Sequence, residues 1–222
     1  MCALSVAYTK QFNTVQRAEC RSRAVSFIHA YTLFFLCVFL IFMDPDKELL
    51  NNPGSGLPKH TPLVGFSTGY FIFDLLVMLF YGPPLLSFIF ALHHLVCIFG
   101  WTYLFLTRNG IFFPIFQSLC EFSNIFVSLH WFYCKAEGWK NSKAYIVNGV
   151  MLWISFVIFR MSMLPCTFYI IYRDFPFDYL LPFNLGFLIF ATVVLNVMNL
   201  LWFSKISQGL IKYAFGKKKK EH

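Results

Sequence analysis

Six apolar runs, each about as long as a bilayer crossing, constrain this chain more than any other feature. They lie at residues 25–43, 63–81, 85–105, 111–133, 145–172 and 180–203. A transmembrane helix needs about 20 mostly apolar residues to cross a hydrocarbon core of about 30 Å, and each run is close to that length or longer. The sequence therefore predicts an all-α, multi-pass membrane protein with six transmembrane helices, called spans 1 to 6 below.

The composition agrees with a membrane setting and argues against a nucleic-acid partner. Hydrophobic residues make up 58% of the chain and charged residues 13%, whereas soluble proteins have about 25% charged residues. The net charge is +8, but the basic residues gather in the two tails and one loop. They do not form a basic face interleaved with exposed aromatic residues. We therefore expect the lipid bilayer, and no nucleic acid, as a partner.

The distribution of Lys and Arg predicts the orientation of the spans. Residues 1–24, the loop at 134–144 and the segment after span 6 together hold 13 Lys or Arg, and the connections on the opposite side hold four. Short loops rich in Lys and Arg stay on the cytosolic side. Both termini are therefore expected in the cytosol. An even number of spans likewise places the two termini on the same side of the membrane.

The extreme C-terminus resembles a signal for localisation. Lys219 and Lys220 stand just before the last two residues, as in the dilysine signal that returns membrane proteins to the endoplasmic reticulum. The alternative is a solvated basic tail that is attracted to anionic lipid. The preferred interpretation is a protein of the endoplasmic reticulum or another endomembrane.

Ionisable residues occur inside the apolar runs, where they are expensive. A charged side chain at the centre of a transmembrane helix costs about 2.5–3.5 kcal/mol on insertion scales, so such residues usually face a cavity or a partner. Residues of this kind lie near the middle of spans 2 to 5: Asp74, His93, His94, Glu121 and Arg160. We expect them to lie at similar depth and to converge around a common axis.

The spacing of polar residues in span 4 supports this convergence. Gln117, Glu121, Asn124 and Ser128 recur at intervals of four, three and four, which is the repeat of one helical face. Together with Asp74 and Arg160, these residues are predicted to line an intramembrane cavity or to bind lipid there. A similar stripe in span 6 consists of Thr192, Asn196 and Asn199. The alternative, preferred for span 6, is that these groups only hydrogen-bond one helix to another.

The adjacent histidines of span 3 are the candidate chemical groups. Side chains of adjacent residues project about 100° apart on a helix, so His93 and His94 do not form a metal-binding i, i+4 pair, and no metal is expected. A neutral imidazole in an apolar site suits proton transfer or nucleophilic attack, with Glu121 or Asp74 orienting its other nitrogen. His93, His94 and Glu121 are therefore the candidate catalytic residues. The alternative is that both histidines are merely satisfied by buried partners.

Six segments, one at each span, resemble the TLC-domain family when read in chain order. They are CRSRAVSFIHA, STGYFIFDL, ALHHLVCIFGW, CEFSNIFVSLHWFY, VNGVMLWISFVIFRM and VLNVMNLLWFSKISQG. The resemblance covers about residues 17–213, so residues 1–16 and 214–222 are expected to be cytosolic tails. It implies a barrel-like bundle of six helices in the endoplasmic reticulum or another endomembrane, with an internal cavity the size of a lipid.

Ceramide synthases share this domain, and the resemblance extends to their motif. They acylate sphingoid bases with acyl-CoA, using a His-His pair like His93-His94 and two aspartates on the following helix. Glu121 stands at the position of the first aspartate and Asn124 at that of the second.

Three functions follow as hypotheses from these patterns. The first is a protein of lipid homeostasis that binds, senses or transports a lipid or acyl chain inside its bundle. The second is an acyltransferase of ceramide-synthase type that uses the His-His pair. The third is a structural or partner-binding membrane protein whose polar stripes only join helices. No cofactor is expected, and acyl-CoA enters only as the substrate of the second hypothesis.

Overall fold

The computed structural model describes residues 12–45, 47–51, 58–83, 85–135, 139–140, 142–174 and 182–216. Most of these residues lie in helices, and none of them lies in a β-strand. The all-α fold that the apolar runs predicted is therefore confirmed.

Within these ranges, six helices are long and apolar enough to cross a membrane. They are α1 (Thr14–Met43), α2 (Thr61–Tyr81), α3 (Phe88–Leu106), α4 (Phe112–Lys135), α5 (Lys143–Tyr172) and α6 (Pro182–Tyr213). The helical backbone continues to Asp174 after α5 and to Gly216 after α6. A short helix at Glu48–Asn51 and a 3-10 turn at Pro58–His60 lie between α1 and α2. The predicted number of spans is confirmed.

Three of the long helices contain irregular turns. The regular parts are Thr14–Val38 in α1, Phe112–Gln117 and Phe122–Lys135 in α4, and Lys143–Phe156 and Met163–Asp174 in α5. A π turn ends α1 at Phe39–Met43, a 3-10 turn interrupts α4 at Ser118–Glu121, and a π turn interrupts α5 at Val157–Met161. Glu121 and Arg160 lie in two of these turns. Such π turns within α-helices frequently occur at functional sites.

Helix α1 begins well before the apolar run that predicted it. The side chain of Asn13 accepts a hydrogen bond from the backbone N–H of Gln16, and the Gln16 side chain accepts one from the backbone of Asn13. This capping box satisfies two N–H groups that a helix end leaves free. The helix therefore starts at Thr14 rather than at residue 25, and its polar first turns belong to the bundle.

The six helices close into a ring. Helix α1 packs against α2, α2 against α3, α3 against α6, α6 against α5, α5 against α4, and α4 against α1. Helices α1 and α4 are also joined where the indole N–H of Trp131 donates to the Glu19 carboxylate over 2.6 Å. The arrangement is the barrel-like bundle expected of the family that the sequence resembles.

One end of the ring is filled by a hydrophobic core. Its fully buried members come from the second half of α1 and the first part of α4, among them Leu33, Ile41, Phe113 and Ile115. Large apolar side chains such as Phe80 point outward, where lipid would cover them. Because this core occupies the end opposite the described termini, the larger open space lies toward the end where α1 begins and α6 finishes.

Candidate functional site

A cavity of about 510 Å³ lies inside the ring, and all six helices line it. Glu19, Arg23 and Lys205 line it near the end where α1 begins, and Glu121 and Arg160 line it deeper in the bundle. The volume lies within the range of about 300–1,000 Å³ that is usual for ligand pockets. The barrel therefore encloses space for a molecule rather than a fully packed core.

His94 is held between two hydrogen-bond acceptors. Its Nδ1 lies 2.7 Å from the backbone carbonyl of Phe90, and its Nε2 lies 3.0 Å from Oδ2 of Asp74. Ser22 donates to the other oxygen of Asp74 over 2.6 Å. A carbonyl oxygen and a carboxylate oxygen are both hydrogen-bond acceptors, so each ring nitrogen faces an acceptor. Both nitrogens of His94 are therefore engaged, and Asp74, not Glu121, is the carboxylate that orients it.

His93 differs from its neighbour because it projects in another direction from α3. Its Nδ1 has no hydrogen-bond partner among the described residues, and its Nε2 makes only a long contact of 3.8 Å with Sγ of Cys97. The ring lines the main cavity and meets the Trp202 indole edge-on at 5.7 Å between centroids. Of the two candidate histidines, His93 is the one with a ring nitrogen that has no hydrogen-bond partner among the described residues.

Arg160 occupies the deep end of the cavity and joins three helices. Its guanidinium donates to Oγ of Ser123 (2.6 Å) and Oδ1 of Asn124 (2.8 Å) on α4, and to Oδ1 of Asn199 (2.9 Å) on α6. Only 4% of Arg160 is exposed. Its three acceptors are neutral, and none of the described carboxylates lies within 4.0 Å of it.

Asn124 stands between the two charged residues in the deep part of the site. Its amide donates to Oε2 of Glu121 over 2.7 Å, while its carbonyl oxygen accepts from Arg160. Glu121 is therefore linked to Arg160 through an amide and not by a direct ion pair. An amide at position 124 can make both contacts, because it donates to the Glu121 carboxylate and accepts from the Arg160 guanidinium.

His29 is a buried site residue that sequence reasoning did not select. Its Nδ1 lies 4.0 Å from Oε2 of Glu121, its Nε2 lies 3.2 Å from Oγ of Ser67, and its ring stacks on Tyr70 at 3.8 Å. The available signal was Ser22, Ser26 and His29, whose intervals of four and three mark one helical face. The signal is weak because Ser22 precedes the apolar run that predicts span 1, so only part of the stripe falls inside that run.

The remaining predicted residues divide between two cavities. Ser128 lines the main one, as do Asp74 and Asn124. Gln117 lines a smaller cavity of about 80 Å³ and donates to Oγ1 of Thr192 over 2.8 Å. Glu121 also lines this smaller cavity, so Gln117 and Glu121 face one space there, and Glu121 reaches the main cavity as well.

The predicted depths also need correction. Asp74 lies seven residues before the end of α2 and His94 six residues after the start of α3, which places them about 10 Å and about 9 Å from those helix ends. Glu121 and Arg160 lie near the middle of α4 and α5. The polar groups therefore form a sloping line from the open end to the centre, not a single layer.

Two further expectations bear on the site. Within the part of the chain that the structure describes, no three His, Cys, Asp or Glu residues form a group that could hold a metal. Lys219 and Lys220, the predicted targeting residues, lie outside the described residues.

These features define a class of protein: a multi-pass helical membrane protein with a polar-ended cavity enclosed by its bundle. The family model of the TLC domain matches residues 19–208, and the chain belongs to the TLC-domain family.

Curated relatives agree with this assignment. TLC domain-containing protein 4 of Homo sapiens is 33% identical over 210 residues, which cover 89% of this chain and 76% of the relative. TLC domain-containing protein 4-B of Xenopus laevis is 30% identical over 204 residues, covering 90% and 77%. TLC domain-containing protein 1 of Gallus gallus is 27% identical over 188 residues, covering 84% and 71%. No solved structure matches the chain.

Proposed function

We propose that this protein binds a membrane lipid or acyl chain inside its six-helix bundle and acts in lipid homeostasis, by sensing or transporting that ligand. The observation that carries the proposal is the cavity of about 510 Å³ that all six helices line. Helices that served only as a scaffold would be expected to pack their interior to the density of other protein cores.

The walls of the cavity suit an amphiphile. Apolar side chains such as Val127, Ile146, Leu152 and Leu210 cover its sides, while polar groups gather at its deep end and at its open end. Ligand pockets are typically apolar surfaces with a few convergent polar groups that fix orientation. A molecule with a hydrocarbon chain and a polar group matches both parts.

The cellular setting belongs to the proposal. The charge distribution predicts that both termini are cytosolic, and the cavity lies toward the end where α1 begins and α6 finishes. The open end of the cavity then faces the cytosolic leaflet of the endoplasmic reticulum or another endomembrane.

A glycine on α5 allows a direct test. A Cβ at Gly149 would meet no atom within 4 Å, and Gly149 lines the cavity. Gly149→Leu therefore adds an apolar side chain at a position that lines the cavity, and its Cβ meets no neighbouring atom. Gly65 on α2 is matched, since its Cβ would also meet nothing within 4 Å and it is absent from the cavity lining.

The measurement is mass spectrometry of lipids that copurify with the full chain in detergent. The unmodified protein and Gly65→Leu should carry a discrete lipid or acyl species, and Gly149→Leu should lose most of it. Equal, nonspecific lipid in all three proteins would contradict the proposal and favour a structural role for the bundle.

A second candidate is an acyltransferase of ceramide-synthase type, favoured by the unpartnered Nδ1 of His93 beside the anchored His94–Asp74 pair. In this scheme a nitrogen of His93 attacks the acyl thioester carbonyl of acyl-CoA, and the carbon–sulfur bond breaks. The CoA thiolate leaves and takes up a proton, and an acceptor amine then displaces the imidazole to form an amide.

This second candidate is tested with acyl-CoA carrying a labelled acyl chain. His93→Ala should abolish labelling of the protein, and His94→Ala should reduce it by displacing Asp74 and the neighbouring ring. If both variants keep all acyl transfer and leave membrane lipid profiles unchanged, this candidate fails and simple binding stands.

A further inference from the structure

The structure carries one inference that deepens, and rests on, the proposed lipid-binding function. We infer that Arg160 receives an acidic group of the bound amphiphile, a carboxylate or a phosphate, at the deep end of the cavity. Arg160 is buried, lines the cavity and has only neutral hydrogen-bond acceptors among the described residues.

The first argument is the missing counterion of Arg160. Asp74 is matched by His94 and Ser22, and Glu121 reaches Arg160 only through the amide of Asn124. The guanidinium therefore has no direct counterion among the described residues, and it is the cation in the deep part of the site that an added acid can meet.

The second argument is the number of donors. A guanidinium has five N–H groups, and three of those of Arg160 have acceptors among the described residues. A buried donor without an acceptor is costly, more so when it is charged. Two N–H groups are therefore left for an acceptor that the described residues do not supply.

The third argument is shape. The Phe156 ring lies 4.9 Å and the Trp202 ring 5.7 Å from the guanidinium carbon of Arg160. Aromatic rings over its faces restrict a guanidinium to binding at its edge. An edge with parallel N–H groups suits the paired oxygens of a carboxylate or phosphate.

The test compares three probes that share one hydrocarbon chain: oleic acid, oleyl phosphate and oleyl alcohol. Each is titrated into the full chain in detergent after delipidation, and binding is followed by native mass spectrometry. At a pH where the acids are ionised, at least one of them should bind about tenfold or more tightly than the alcohol. The acid that binds better identifies the headgroup as carboxylate or phosphate.

Variants locate the acid within the cavity. Arg160→Gln should abolish the preference for the acids over oleyl alcohol, while Arg160→Lys should keep part of the preference. Arg23→Gln and Lys205→Gln remove cations that also line the cavity, nearer its open end. Both should retain the preference; its loss in them and not in Arg160→Gln would overturn the inference.

The outcomes separate the inference from the function on which it rests. Equal binding of the acids and the alcohol by the unmodified protein overturns the role of Arg160 and leaves lipid binding intact. This comparison needs no variant, so misfolding of Arg160→Gln does not affect it. Failure of all three probes to bind contradicts lipid binding itself.

Discussion

The pair formed by His94 and Asp74 yields the sharpest energetic prediction. Both side chains are nearly buried, with 7% and 11% of their side-chain surface exposed, and they meet at 3.0 Å. Asp74→Ala removes the acceptor of two donors at once, the buried ring of His94 and the half-buried hydroxyl of Ser22. We therefore expect this single change to destabilise the bundle more than most surface substitutions do.

The size of the destabilisation depends on two opposing energies, the attraction between the two side chains and the cost of burying each of them. When His94 is protonated, the two groups carry unit charges 3.0 Å apart and attract by about 5.5 kcal/mol at an effective dielectric constant of about 20. Burying two ions costs several kcal/mol each, so the complete pair contributes little net stability. Removing one partner strands the other, which costs about 3–5 kcal/mol. For a chain of this size that corresponds to a fall in Tm of about 6–20 °C.

A double-mutant cycle isolates the interaction. Asp74→Ala, His94→Ala and the double variant are compared with the unmodified protein by thermal unfolding in one detergent, and Asp74→Asn serves as the conservative control. The double variant leaves neither side chain buried without the other. Its loss in free energy of unfolding should therefore be smaller than the sum of the losses in the two single variants. The expected coupling is roughly 2–3 kcal/mol, the upper part of the range for residues in contact.

Additive effects would refute this reasoning. If the coupling is below about 0.5 kcal/mol, the two side chains do not interact in the folded protein. Asp74 would then lose its assignment as the residue that orients His94.

Three further predictions concern other parts of the chain. Asn13→Ala should lower the free energy of unfolding by about 0.5–2 kcal/mol because it removes the cap of α1, whereas Asn13→Asp should retain most of it; chemical denaturation in detergent measures both. Gln117→Ala should cost about 0.5–1.5 kcal/mol and leave copurifying lipid unchanged, since Gln117 faces the smaller cavity; lost lipid would contradict that placement. If Lys219 and Lys220 form a retrieval signal, replacing both by Ser should move the tagged protein from the endoplasmic reticulum to membranes later in the secretory pathway, as measured by imaging. An unchanged distribution would contradict the proposed targeting role of these two lysines.

Properties that depend on local sequence were predictable. A span is defined by its own length of apolar residues, so six runs gave six helices, and an even number places both described ends on one side. The insertion cost of buried charges likewise drew attention to Asp74, the His pair, Glu121 and Arg160 before any geometry was known. The structure places all of them on the lining of one cavity.

Pairings between helices were not predictable in this way. The sequence left Glu121 and Asp74 equally able to orient a histidine, and only the packing of α2 against α3 brings Asp74 to His94. It also gave no sign that Arg160 meets Asn124 and Asn199, because those contacts join residues far apart in the chain.

One local rule failed where tertiary structure prevailed. Counting apolar residues began span 1 at residue 25, but the Asn13 cap and the contact from Trp131 to Glu19 extend α1 into its polar part. Hydrophobic length determined how many membrane-spanning helices the described part of the chain has, since each apolar run is long enough by itself to cross the bilayer. The partner of each buried polar group was decided only when the ring of helices closed, because that choice depends on distances between residues that the sequence does not bring together.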